Sequence, residues 1–235
     1  MRHREPAICI RTHDYSETSQ VVYFMTRGQG LVRLLAKGTK RPKSKSGGMI
    51  DLLAEGDLLY TQKDPETLGT LMEFHETVSH AVLRRDARRL NAALFLIELT
   101  GEMLAPADPF PDAYQLLHRT LERLGEPDAP QDAVLAWFQW RMLRLVGLLG
   151  GLDACVGCGA PVAELPARRT EKFRLEDGAL AGLAALAAAE AGHKVNLPDV
   201  QARSANRLLA YHISHQLGKP LKLARYAIPG PTTER

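Results

Sequence analysis

The sequence predicts an α+β protein in which five short strands, forming a small barrel or sandwich, precede a helical part. Three observations carry this. Over about the first 75 residues, β-branched and aliphatic runs alternate with turn signals. From about Val78 the apolar residues recur at helical spacing instead. The charge changes with the pattern: residues 1–47 hold ten Lys and Arg against three Asp and Glu, a net +7, while the remainder nets −4.

The strands come first. Residues 7–13 are β-rich and partly alternating, and Tyr15 to Ser19 reads as a turn. Residues 21–26 form a second strand, and Arg27-Gly28-Gln29-Gly30 is a glycine-rich hairpin connection. A third strand spans 31–37 and runs into Gly38-Thr39-Lys40-Arg41-Pro42-Lys43-Ser44-Lys45. Residues 58–62 and 68–74 make the fourth and fifth, with Lys63 to Glu66 as their turn. Five such strands with turns between them suit a small barrel or sandwich.

The helices follow. Asp86 can cap a helix whose stripe is Leu90, Leu94, Ile97, Gly101 and Leu104, and Pro106 stops it. Residues 112–124 form a second helix, closed by Gly125 and Pro127. A third spans 132–149, with Leu135, Phe138, Met142, Leu145 and Leu149 on one face. Residues 153–178 read as irregular, 178–190 as an Ala- and Leu-rich helix, and 199–217 as a last helix stopped at Gly218 and Pro220. The expected organisation is a strand domain over 1–78 and a helical domain in two parts, 79–152 and 181–228. An insert over 153–180 separates those parts, and a tail occupies 229–235.

Composition narrows the class. The chain has 235 residues, and its hydrophobic fraction of 45% suffices for a core. Three cysteines, Cys9, Cys155 and Cys158, build no disulfide framework and fit a reducing cytosol. The first residues lead into strand alternation, not a signal-peptide run, and no apolar stretch approaches the ~20 residues that span a bilayer. A soluble, cytoplasmic protein with no membrane partner is expected.

The strongest candidate site is the basic loop. Lys37, Lys40, Arg41, Lys43 and Lys45 fall within nine positions without an acid, and Pro42 forbids a helix there. Such a loop is either a solvated hairpin tip or a seat for a phosphate backbone. The strand context favours the second, because a five-stranded barrel with a basic rim is a recurrent single-strand platform. Arg11 and Arg33 would extend the charge across the sheet. Tyr15, Tyr23 and Phe24 offer stacking surfaces; Phe24 suits the core, and Tyr15 is the preferred choice.

Other motifs carry less. Cys155-Val156-Gly157-Cys158-Gly159 is half of a zinc knuckle, but Cys9 sits in a strand, and a set completed by His212 and His215 would need a 53-residue gap after Cys158. The expectation is a degenerate knuckle that packs without metal. His75-Glu76-Thr77-Val78-Ser79-His80 is one residue too long for a zinc-protease motif, and no phosphate loop or nucleophile elbow occurs. Trp137, Phe138 and Trp140 with Arg141 and Arg144 form an aromatic-basic helix. It is either core with a charged rim or a groove in which Trp137, Arg141 and Arg144 hold a partner peptide and its carboxylate.

These residues together resemble one family. The run from Arg11 to Ser19 is similar to the opening of bacterial RecO, the DNA repair and recombination mediator, and so is Thr26 to Gly38. Leu68-Gly69-Thr70-Leu71-Met72-Glu73 resembles its fifth-strand segment, and Ala154 to Gly159 its cysteine knuckle. Leu217-Gly218-Lys219-Pro220-Leu221-Lys222-Leu223-Ala224 resembles its C-terminal Gly-Lys-x-Leu-Lys-Ser segment, without the final Ser. The resemblance implies an N-terminal OB-fold barrel, a helical domain and a zinc-ribbon-like insert. Zinc-bearing members have a second C-x-x-C, whereas here Lys172 to Leu180 contains no cysteine, as in members without the metal. No cofactor is therefore expected.

The resemblance further implies a non-enzymatic protein that binds single- and double-stranded DNA and anneals complementary strands. With RecR, such a protein helps load RecA onto strands coated with single-strand-binding protein, whose acidic C-terminal tail docks on the helical part. A nucleoid-associated cytoplasmic location follows. The alternative is an adaptor whose barrel docks RecR with little DNA contact of its own. A metal-dependent nuclease lacks a carboxylate cluster in the basic part.

Overall fold

The computed structural model describes residues 1–40, 48–64, 67–106, 108–149, 179–190 and 197–228. The tip of the basic loop, including Arg41, Lys43 and Lys45, lies outside them, as do Cys155, Cys158 and most of the 153–180 insert.

Five strands form the first unit: β1 Arg2–Asp14, β2 Gln20–Thr26, β3 Gly30–Ala36, β4 Glu55–Thr61 and β5 Gly69–Val78. They close into a barrel in the order β1-β2-β3-β5-β4. β1 is longer than the sequence suggests because its first half, Arg2 to Ile8, pairs with β4 while Ala7 to Asp14 pairs with β2. A register shift between Cys9 and Arg11 lets one strand serve both partners. The seam is short: β3 and β5 run parallel and pair only at Leu34 with Gly69 and Leu35 with Thr70. Gly69 is required there, since a β-carbon would stand 2.7 Å from Leu34 Cδ2 and 2.9 Å from the Thr61 carbonyl oxygen. The start of β3 is covered instead by a bridge between Leu31 and Pro106.

Seven helices follow among the described residues: α1 Ala81–Arg84, α2 Ala87–Met103, α3 Pro111–Gly125, α4 Gln131–Leu145, α5 Ala179–Glu190, α6 Asp199–Leu217 and α7 Ala224–Ala227. Asp86 caps α2 as anticipated, its carboxylate accepting from the Arg89 amide at 2.8 Å. α4 ends at Leu145, four residues before the expected Leu149. Gly147 turns left-handed at φ 71°, and the Leu148 amide reaches back to the Leu143 carbonyl at 2.9 Å. Gly218 ends α6 similarly, at φ 65°. None of these helices is long and apolar enough to cross a membrane.

The two faces of β1 and β2 serve two cores. Ala7, Cys9, Val22 and Phe24 point into the barrel with Val32, Leu34, Leu58 and Tyr60. Ile8, Ile10 and Met25 point outward and join the helical core of Phe95, Leu96, Leu117, Phe138 and Ile213. Barrel and helices are thus joined by continuous apolar packing. A polar cluster pins the same junction. Glu55 on β4, only 4% exposed, lies 2.9 Å from His80 Nε2 and 2.7 Å from His118 Nδ1, and it accepts a hydrogen bond from the Tyr114 hydroxyl at 3.2 Å. Of the H-E-x-x-x-H residues, His75 pairs with Asp57 across β4 and β5 while His80 is bound to Glu55.

Candidate nucleic-acid interface

Strand register builds the site. Tyr23 lies opposite Arg11 on one side and Arg33 on the other, so the three form a row across β1, β2 and β3. The bulge after Cys9 puts Arg11 in that row. Val22 and Phe24 face inward, so Tyr23 faces outward, half-buried, between two exposed arginines. The Arg11 guanidinium carbon stands 5.8 Å from the Tyr23 ring centre, and His13 meets the ring edge-on at 5.7 Å. The next row pairs His13 with Val21 and Val21 with Leu35. Beyond it, Tyr15 and Lys37 line one shallow cleft with Thr18, Ser19 and Gly38. Tyr15 is 63% exposed. Arg11, Tyr15, Arg33 and Lys37, four of the residues singled out from sequence, therefore share one outer face with Tyr23. Among the described residues neither Arg33 nor Lys37 makes an ion pair.

Lys40 is paired within the chain. Its ammonium lies 2.7 Å from Asp14 Oδ1 at the end of β1, and its side chain is only 19% exposed. The cause is the buried amide of Gln20. Gln20 Oε1 accepts from the Thr39 hydroxyl at 3.1 Å and from the Ile50 amide at 3.1 Å, and its Nε2 donates to the Ile50 carbonyl at 3.4 Å. Both feet of the basic loop are thus tied to the start of β2, and Lys40 is drawn onto Asp14. Phe24 is fully buried, 5.2 Å from Phe74 between ring centres. It belongs to the barrel core.

A second basic surface lies between α3 and α4, where a groove of about 800 Å³ opens. Its floor includes Leu116, Val134, Trp137 and Leu145, and its rim carries Arg119, Arg123 and Arg141. Arg141 stands 5.6 Å over the Trp137 ring, and Arg123 is ion-paired with Glu126. Arg144 is exposed in the last turn of α4 and does not line the groove. The cations that replace it come from α3. Their signal in the sequence is the spacing of Arg119 and Arg123, four apart beside Leu116.

The metal candidates among the described residues lie apart from one another. His212 Nε2 is 3.2 Å from the Leu148 carbonyl, and no cluster of His, Cys, Asp or Glu among the described residues could hold an ion. Burial pushes the Cys9 thiol well above its usual range, so it is a poor ligand and nucleophile. Cys155 and Cys158, the other two cysteines, lie outside the described residues.

Comparison with known proteins follows the two units. A family model described as "Recombination protein O N terminal" matches residues 1–78, and one described as "Recombination protein O C terminal" matches residues 84–225. Among curated relatives, the "DNA repair protein RecO" of Salinibacter ruber is 31% identical over 150 residues, which is 64% of this chain and 58% of that protein. The protein of the same name from Halalkalibacterium halodurans is 32% identical over 158 residues, 67% of this chain and 61% of that one. The match therefore spans under two thirds of either relative. The "DNA repair protein RecO" of Anaeromyxobacter sp. (strain K) is 28% identical over 246 aligned positions, covering 93% of each chain.

Proposed function

The chain belongs to the RecO family, and on that premise we propose that it acts in recombinational DNA repair as a non-enzymatic DNA-binding protein. The barrel is read as an OB-fold, whose second and third strands and adjoining loops are the usual oligonucleotide surface. The observation that carries the reading is the row Arg11–Tyr23–Arg33, continued by Lys37 and Tyr15, on the outer face of β1, β2 and β3. Cations at strand spacing suit successive phosphates, and exposed rings suit unstacked bases. Arg41, Lys43 and Lys45 would extend the charge from the loop that Gln20 closes. Neutralising the phosphates of two strands lowers their repulsion, so complementary strands can pair on this surface.

The arginine-rimmed groove supports a second activity alongside the first. Cations around an apolar floor fit an acidic peptide that ends in a carboxylate, the chemistry of the tail of single-strand-binding protein. We assign RecR docking and, through it, RecA loading on family grounds alone. No covalent step and no zinc enter this scheme. The test is fluorescence anisotropy of a labelled oligonucleotide with the full chain and its Arg33→Glu/Lys37→Glu variant. The variant should bind at least about tenfold more weakly at low salt, with annealing falling in parallel. Equal binding would leave the adaptor reading in its place.

A further inference from the structure

Beside the Arg11–Tyr23–Arg33 row, a cleft of about 570 Å³ separates the barrel from α2 and the C-terminal segment. Ile10, Leu31, Leu94 and Ile97 make it apolar within, Tyr23 and Arg11 line its barrel side, and Lys222 lines the opposite side. Two acids of α2, Glu98 and Glu102, also border it; Glu102 is ion-paired, and Glu98 is hydrogen-bonded by backbone amides but keeps its charge. Glu98 accepts the Lys222 and Leu223 amides at 2.8 Å each, and Glu102 lies 2.5 Å from Lys219 Nζ. What a ligand meets is Arg11, Arg33 and Lys222, three cations against the one carboxylate of Glu98, around an apolar slot with an aromatic wall. Among the described residues neither Arg33 nor Lys222 makes an ion pair.

An anion with a flat apolar body meets that description. We propose that the cleft takes one unpaired nucleotide of single-stranded DNA. Its base enters against Tyr23 and the Arg11 guanidinium, and its flanking phosphates lie at Arg33 and Lys222. A base inside a duplex cannot enter without leaving the stack, so the slot favours single over double strands. An apolar protein segment fits worse, because it would cover three cations without supplying charge. The proposal rests on the DNA-binding reading above and deepens it: the barrel face holds either strand form, and the cleft selects the unpaired one.

The test compares the full wild-type chain with Tyr23→Leu, which keeps apolar packing and removes the π face. The probes are an oligothymidylate, the same strand with abasic sites, and a duplex of equal length. Base–aromatic stacking is worth ~1–3 kcal/mol, so abasic sites should weaken wild-type binding by about fivefold or more. In Tyr23→Leu the intact strand should bind correspondingly worse and the abasic penalty fall below about twofold, with duplex binding losing less than single-strand binding. Should Tyr23→Leu fail to fold, the exposed Lys222→Ala carries the test. Its single-strand salt slope should flatten by about 0.7 while its duplex slope stays the same. An equal abasic penalty in both proteins, or an unaltered slope in Lys222→Ala, overturns the cleft and leaves the barrel face standing. Failure of the wild type to bind any probe overturns both.

Discussion

Asp14 and Lys40 show how one carboxylate can mask a cation on a basic surface. A phosphate competing for Lys40 must displace a partner 2.7 Å away. Asp14→Ala should therefore tighten single-strand binding a few-fold and steepen the salt slope by about 0.7, one further contact, in an anisotropy titration. Glu55 presents the opposite case, a carboxylate that its partners hold ionised. Burial pushes it upward, but the His80 hydrogen bond and the fields of His118 and His80 outweigh that and leave it below the usual carboxylate range. Its folded pKa lies under the unfolded value of about 4.3, so its contribution is present above that pH and lost as pH falls through the folded pKa. Thermal midpoints between neutral and strongly acid pH should show this loss. In Glu55→Gln that part of the acid dependence should disappear.

At the scale of the element, much was legible because local chemistry and tertiary context agree. Five strands, the Asp86 cap and the glycine stop after α6 all follow from side chains that do the same work in a peptide as in a protein. The strand pairing that gathers Arg11, Tyr23 and Arg33 was not legible, because it depends on a bulge and on register. Nor was the pull of Gln20 on Thr39 and Ile50, which spans 30 residues. The α3 contribution to the arginine groove was hidden too, since Arg119 and Arg123 read as a solvated face until α4 is packed beside them. Gly30 gives a sharp element-level expectation. It sits at φ 68°, where a β-carbon would stand 1.9 Å from the Asp108 carbonyl oxygen. Gly30→Ala should cost more than ~1–2 kcal/mol in a denaturant titration, combining left-handed backbone strain with that collision.

Across the whole molecule, barrel and helices act as one packed body. Ile8, Ile10 and Met25 leave the barrel and enter the helical core, and Glu55 ties β4 to α3. Each such side chain contributes ~1.5–3 kcal/mol when buried, a large part of a stability of order 5–15 kcal/mol. A fragment ending at Val78 should therefore melt lower than the full chain and bind a hydrophobic dye, while equal melting would show the barrel to be independent. DNA studies on this chain consequently belong on the intact protein. The most direct measurement is the single-strand dissociation constant of the full chain over a range of salt. With ~4–5 phosphates engaged, log affinity against log salt should fall with a slope of about −3, flattened to about −1 in Arg11→Glu/Arg33→Glu/Lys37→Glu. The same slope and affinity in both proteins would contradict a DNA-binding role for the outer face of the barrel.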